Sequence, residues 1–208
     1  MAAVAAESPS SMERLVFFSD AVFAIVITIL VLPLTAEIEL PAEAQDLSHE
    51  VVQQWPKVVS FVVSFLVIGQ FWIAHHNMFS LLRRSDHGLL WLNLVALLTV
   101  SFMPFPTAVL GARLEDADNF PVAFYAASMT LSSIVLTLTW LYALRRHLVD
   151  AELPATAVRR FTARAVLTSA IFLLSVGAAF FGLPVAVLFW LVLLPVGRIL
   201  IVRALSRR

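Results

Sequence analysis

Few side chains in this 208-residue sequence could carry chemistry, and those that could lie within long apolar runs. Asp20 is the only carboxylate inside such a run, the neighbours His75 and His76 belong to another run, and Asn93 belongs to a third. Because histidine titrates near neutral pH, the chemistry that these residues could perform is proton transfer. A hydrogen-bonded clasp that joins helices is the simpler interpretation, and a proton relay is the alternative.

A catalytic or metal-binding role finds little support. Cysteine is absent, which excludes disulfides and thiolate metal sites. His75 and His76 are adjacent, so on a helix they point about 100° apart and cannot chelate one ion from one face. Phosphate loops, zinc-protease helices and nucleophile elbows do not occur. We therefore predict no enzyme activity, no metal and no cofactor; a lipid-acting enzyme would have only Asp20 with His75 or His76 to use.

The elements that must position these residues are membrane helices. The composition is 61% hydrophobic and 13% charged, whereas soluble domains are about 25% charged. Six apolar runs of about 20 residues are each long enough to cross a hydrocarbon core of about 30 Å. We place them at 14–34, 56–80, 88–110, 120–144, 162–181 and 184–202. The sequence predicts an all-α membrane protein with six transmembrane helices. It has a short N-terminus at 1–13, a six-helix transmembrane domain at 14–202 and a basic tail at 203–208.

The basic residues predict the orientation. Twelve of the 14 Lys and Arg residues fall on one side of the membrane in this six-span layout, and only Lys57 and Arg113 fall on the other. By the positive-inside rule both termini are cytoplasmic. The acidic linker residues then lie outside, as a solvated surface or as a vestibule that concentrates cations. The net charge of zero gives no reason to expect a nucleic-acid partner.

Depth in the membrane groups the polar residues. Asp20 lies six residues, or about 9 Å, from the cytoplasmic end marked by Arg14. His75, His76 and Asn93 lie at a similar depth on two other helices. We expect one hydrogen-bonded layer, which Ser19 and the Trp72 indole join. These six residues would connect the first three helices on the cytoplasmic side.

The first helix has two distinct sides. At about 100° per residue, a single line contains four apolar residues, with Val22 and Thr28 at its margins. These four residues, called the Ile25 line below, are Phe18, Ile25, Ile29 and Leu32. The opposite side carries Asp20, Phe23, Ile27 and Leu30 and should face the rest of the subunit. Periodicity alone favours lipid against the Ile25 line, with another subunit as the alternative.

A short motif at the start of this helix bears on that alternative. The segment from Arg14 to Asp20 reads R-x-x-x-F-S-D and leads into an apolar helix. It resembles the signature of the endolysosomal potassium leak channel family and its prokaryotic relatives. The run from Trp72 to Phe79, W-I-A-H-H-N-M-F, and Asn93 look similar to segments of that family. Animal members carry two six-span repeats per chain, so one repeat implies a homotetramer.

The resemblance also implies roles for residues of the first helix. Ile25 would be the main pore constriction, with Ile29 and Leu32 continuing its wall, and Thr28 would contribute to cation preference. A ring of isoleucine side chains would gate by excluding water, because the sequence contains no T-V-G-Y-G-like filter loop.

The function implied by the resemblance is passive, potassium-selective leak conduction in a prokaryotic cell membrane, with K⁺ as the permeant ion. Arg14 and Phe18 are motif positions, and Ser19 and Asp20 would tie the first helix to the second and third. A proton-coupled transporter that uses Asp20 and the histidine pair remains the alternative.

Overall fold

The computed structural model describes residues 11–35, 52–113 and 118–193, and these residues are almost entirely helical. The helices are α1 Ser11–Ile29, α2 Leu32–Thr35, α3 Trp55–Phe79, α4 His87–Phe102, α5 Pro104–Ala112, α6 Phe120–Arg145, α7 Ala155–Ala178 and α8 Leu183–Leu188. A 3₁₀ turn at Ala179–Phe181 precedes α8, and a π-helical turn at Phe189–Leu193 follows it. The prediction of an all-α fold is confirmed.

Five stretches are long and apolar enough to cross a membrane within the described part of the chain. They are Ser11–Leu34, Trp55–Phe79, His87–Ala112, Phe120–Arg145 and Ala155–Phe181. The predicted sixth span, 184–202, begins at α8, but residues 194–202 lie outside the described residues. The same holds for both chain ends, the acidic linker at 36–50 and the tail at 203–208. Six spans and cytoplasmic termini therefore stay predictions.

Prolines interrupt two of the predicted spans. The span predicted at 88–110 is two helices, α4 and α5, that meet at Met103. Pro104 has no N–H to donate to the carbonyl of Val100, and the Met103 N–H donates to that oxygen at 3.0 Å. Pro33 likewise cannot donate to Ile29, so α1 ends there and the chain turns before α2.

The helix of the fifth span begins before the predicted apolar run. We placed the start of the run at 162, and α7 begins at Ala155, directly after Pro154. Pro154 has extended backbone angles and accepts the first helical hydrogen bonds from Ala157 and Val158. The basic residues of this first turn and a half lowered the hydropathy and hid the helix, although arginine is a good helix former.

The core lies around α6, and α1 is attached to one edge of it. Tyr125, Met129 and Trp140 of α6 are completely buried, and α6 packs on α7, α4 and α5. The structure buries 61% of the apolar window of α6 but only 28% of that of α1. Helix α1 contacts mainly α3 and α4. One side of α1 is therefore left uncovered within the subunit.

Polar contacts join the α3–α4 and α6–α7 connections on the basic side of the protein. Leu82 and Val149 form an isolated antiparallel bridge, and the Arg83 Nε donates to Asp150 at 2.7 Å. Asp86 caps α4 by accepting from the Leu89 N–H at 2.8 Å, and it also accepts from the Tyr142 hydroxyl at 3.0 Å. These bonds hold the ends of four helices together on this side of the protein.

Candidate functional site

The packed side of α1 is a narrow stripe. Its buried residues recur every three or four positions, as one face of a helix requires. They are Leu15, Ser19, Phe23, Val26 and Leu30. At about 100° per residue, the centre of this stripe lies roughly 60° from the centre of the predicted inner side. Asp20 is consequently half-buried at the edge of the interface, and Ile27 is half-buried too.

The Ile25 line lies on the uncovered side of α1. The side chains of Phe18, Ile25 and Leu32 are 51%, 59% and 57% exposed in the single subunit. Ile29 is half-buried because it borders the packed stripe, and Thr28 is exposed. The residues that sequence reasoning grouped on one line thus form a surface, on α1 and the first residue of α2, that the rest of the same subunit leaves open.

A chain of hydrogen bonds fastens α1 to α3 and α4. The His75 ring Nε2 lies 2.8 Å from the Asn93 Oδ1, and the Asn93 Nδ2 donates to the Ser19 Oγ at 3.0 Å. The Ser19 hydroxyl donates in turn to the Leu15 carbonyl at 2.9 Å. Because the Asn93 Oδ1 can only accept, the His75 Nε2 must be the donor. We call this chain, from His75 to Leu15, the clasp.

The clasp is closed off from its surroundings. Ser19, His75 and Asn93 are all buried. The His75 ring stacks on Phe79 with centroids 4.3 Å apart and touches Phe23 at 5.4 Å. Its Nδ1 has no hydrogen-bond partner among the described residues. The histidine is therefore a neutral donor wedged between aromatic rings, which suits a helix-joining role.

Asp20, Trp72 and His76 form a second, more open cluster beside the clasp. The Trp72 indole Nε1 donates to the Asp20 Oδ1 at 2.9 Å, and the indole is 38% exposed. His76 is exposed, and its ring lies 5.8 Å from that of Trp72. Arg14, at the start of α1, is exposed as well. Of the two histidines, His75 joins the buried clasp and His76 does not.

Thr28 is oriented by its own helix. Its hydroxyl donates to the Ile25 carbonyl at 2.8 Å. Because the proton is directed at the backbone, the lone pairs of the Thr28 oxygen remain available on the exposed side of α1. Such an oxygen can contact a cation, whereas a freely rotating hydroxyl would first have to reorient.

Sequence reasoning missed a buried hydroxyl cluster that joins α3, α5 and α6. The Ser64 Oγ lies 2.8 Å from the Tyr125 hydroxyl and accepts from the Thr107 Oγ1 at 2.9 Å. A tyrosine in the second turn of an apolar span was the available signal, since a buried phenol needs a hydrogen-bond partner. Within 11–35, 52–113 and 118–193, no group of three or more His, Asp or Glu is placed to hold a metal.

Comparison with known proteins places this geometry in a family. Residues 14–104, which contain most of α1, the clasp and the Asp20 cluster, match the family model described as endosomal/lysosomal potassium channel TMEM175. A protein of Streptomyces collinus named as a potassium channel is 38% identical over 176 residues, covering 82% of this chain and 84% of that protein.

A solved structure and a human protein extend the comparison. The crystal structure of a lysosomal potassium-selective channel TMEM175 homologue from Chamaesiphon minutus matches with a TM-score of 0.74 and 29% identity, covering 95% of this chain and 99% of that one. Human TMEM175, named as an endosomal/lysosomal proton channel, is 26% identical over 78% of this chain, which spans only 32% of the human protein. The identity and coverage of the bacterial relative show that this multi-pass membrane protein belongs to the TMEM175 family of potassium channels.

Proposed function

We propose that this protein is a potassium-selective leak channel in which four copies of α1 surround one central path. Ile25 forms the constriction, Ile29 and Leu32 continue the apolar wall, and Thr28 tunes cation preference. The channel lies in a prokaryotic cell membrane with both termini in the cytoplasm, and conduction is passive.

The observation that carries the proposal is the uncovered side of α1. One helix per subunit cannot enclose a path, but a closed ring of identical subunits can present the same line of side chains from every copy. Lipid could also cover an exposed line such as this one. Membership of a potassium channel family and the outward Thr28 oxygen beside Ile25 favour the ring.

A ring of isoleucine side chains would work by excluding water. When the ring is narrow, the apolar surface dewets and no ion passes, and slight dilation lets water and ions enter. Potassium sheds its hydration water more readily than sodium, so a narrow apolar passage favours potassium. The Thr28 oxygens would offer short-lived contacts to the partly dehydrated ion next to the constriction.

The clasp would hold α1 at a fixed distance from the axis. The packed stripe and the Ile25 line lie on different sides of the same helix, so any rotation of α1 moves Ile25. Polar bonds from Ser19 to Asn93 and from Asn93 to His75 resist such a rotation. We therefore assign Ser19, with its partners Asn93 and His75, to positioning of the pore helix.

A proton path is the second candidate, because the human relative is named as a proton channel and the clasp is a continuous chain of hydrogen bonds. Two features speak against proton transfer along it. The middle member is the Asn93 amide, which does not readily exchange protons, and the chain ends on a backbone carbonyl of Leu15. Asp20 bonds to Trp72 instead. We therefore favour a role for the clasp in positioning α1 over a role in proton transfer.

Recording from purified protein in a planar bilayer, with potassium on one side and sodium on the other, tests the proposal. Replacing Ile25→Asn should wet the constriction, raise the current and bring the reversal potential closer to zero. Ile134→Asn is a matched control, because Ile134 is an exposed isoleucine on α6. Equal behaviour of the two variants would remove Ile25 from the ion path, and a current driven only by a pH gradient would favour the proton transporter.

A further inference from the structure

A cavity on the basic side of the protein is separate from everything described so far. It lies between α3, α6 and α7 and has a volume of about 390 Å³, within the range typical of ligand pockets. Its wall is mainly apolar and includes Phe71, Met78, Leu136 and Phe161. Ligand pockets of this kind combine an apolar body with a few polar groups.

The polar groups that line the cavity are of two kinds. Ser133, Thr137 and Thr168 are buried, whereas Asn77, Ser80 and Arg164 are exposed where the cavity opens. The Ser80 hydroxyl donates to the Asn77 carbonyl at 2.9 Å, so the Arg164 guanidinium and the Asn77 amide are the donors left for a ligand. None of the described residues that line the cavity is acidic. The opening therefore suits an anion.

The depth of Arg164 along α7 corresponds to the predicted surface of the membrane. Helix α7 starts at Ala155, so Arg164 lies about nine residues, or roughly 14 Å, along it. The apolar run that we assign to the membrane begins near 162. An arginine just inside this boundary keeps its stem in the apolar layer and extends its charge to the headgroups.

We propose that this cavity binds one anionic phospholipid. Arg164 holds the phosphate with help from Asn77, and an acyl chain fills the apolar slot between α3, α6 and α7. Basic pockets between helices on the cytoplasmic side are suited to anionic headgroups. A free phosphate ion would leave the apolar wall without a partner, which favours a lipid.

The lipid site is independent of the proposed pore. Ile73 and Asn77, which line the cavity, lie about 100° and 140° around α3 from Trp72, which bonds to Asp20 of α1. A lipid bound there would touch α3, α6 and α7 and leave the Ile25 line free. Failure of the pore proposal would therefore leave the lipid site intact, and the reverse also holds.

Lipid binding can be measured by native mass spectrometry of the full-length protein in detergent. Titration with dilute phosphatidylglycerol should saturate at one tightly bound lipid per chain, with phosphatidylcholine binding at least about tenfold more weakly, a difference of about 1.4 kcal/mol. Arg164→Gln should abolish this preference. Arg159→Gln is the matched control, because Arg159 is an exposed arginine on the same helix that does not line the cavity.

A second variant tests the apolar slot. Ala74 lines the cavity, and Ala74→Phe should fill it and displace phosphatidylglycerol while Arg164 is unchanged. Equal losses in Arg164→Gln and Arg159→Gln would overturn the proposal in favour of general charge attraction. Competition by inorganic phosphate alone would also overturn it. So would a change of oligomeric state in Ala74→Phe without loss of lipid, because a second copy would then occupy the slot.

Discussion

Helices α1 and α6 are both apolar spans, yet they are held in opposite ways. Packing surrounds α6, and its hydroxyl groups bond both within the helix and to its neighbours: Thr130 donates to Ala126, whereas the Ser133 and Thr137 hydroxyls each lie 2.9 Å from the Ser169 Oγ of α7. Helix α1 is packed along one stripe, and its Ser19 hydroxyl also accepts from another helix. The comparison teaches that packing and polar bonds hold α6 on several sides, whereas α1 depends on one packed stripe and a few polar bonds.

The largest effect is expected from damage to the packed helix. Trp140 of α6 is completely buried, and its Nε1 donates to the Thr162 Oγ1 at 2.8 Å. Trp140→Ala should leave a cavity, remove a hydrogen bond to α7 and lower stability by about 3–5 kcal/mol. Thermal unfolding in detergent measures this loss. Leu138→Ala, at an exposed position of α6, is the control and should change the melting temperature little. Similar losses in both would mean that α6 is not held by packing.

The next effect concerns the clasp. Asn93→Leu removes two bonds between helices and leaves Ser19 and His75 without their partner. Such bonds are worth about 0.6 kcal/mol each in a membrane, and an orphaned buried group costs about 1–3 kcal/mol. We expect a loss of about 2 kcal/mol, most of it confined to the attachment of α1. Hydrogen exchange should therefore rise in α1 more than in α6.

The control for Asn93→Leu is Thr99→Val on the same helix. The Thr99 hydroxyl donates only to the Ala96 carbonyl of α4, so its removal breaks no bond between helices. Exchange in α1 should then stay as in the wild type. If Asn93→Leu left α1 as protected as before, the contrast between the two helices would be wrong and packing alone would hold both.

The sequence could predict which residues of α1 share a side but not which partners they contact. The six apolar runs and the exposed Ile25 line follow from composition and a helical period, because both depend only on local order. The partner of each polar group depends on rotation between helices. A shift of about 60° moved Asp20 from the centre of the interface to its edge and left Ser19 in the buried position.

The tertiary consequences of proline and the partners of buried polar groups likewise could not be predicted from local sequence. A break at Met103 was foreseeable from Pro104, but its result, two helices packed separately on α3 and α6, depends on tertiary contacts. The choice of His75 over His76 depends on which neighbour faces Asn93, and adjacent residues differ by about 100°. Depth in the membrane grouped the right residues without saying which of them bond.

A smaller effect is expected from Asp20, at the edge of α1. Asp20→Ala removes the acceptor of the Trp72 indole, which is partly exposed and can turn to another acceptor. The loss should be about 0.5–1.5 kcal/mol, less than for Asn93. Asp20→Asn keeps an acceptor oxygen and drops the charge, so its melting temperature should stay close to that of the wild type. Normal stability with complete loss of ion flux in Asp20→Asn would instead assign the carboxylate a role in transport.

The smallest effect should come from acid acting on the solvent-exposed connections between α3 and α4 and between α6 and α7. Hydrogen bonding from the Leu89 N–H lowers the pKa of Asp86, and the Glu152 N–H, followed by Arg83, lowers the pKa of Asp150. A carboxyl whose pKa is lower in the folded state adds stability above its ordinary pKa near 4, and that stability is lost as the pH falls below it. Melting temperatures should therefore be flat from pH 8 to about 5 and fall only at lower pH. The double variant Asp86→Asn, Asp150→Asn should lack this final decline.

Since neither carboxylate touches α1, hydrogen exchange in α1 should change less over this range than exchange at the ends of α4 and α6. A stronger response in α1 would show that the clasp, and not these connections, is the acid-sensitive part.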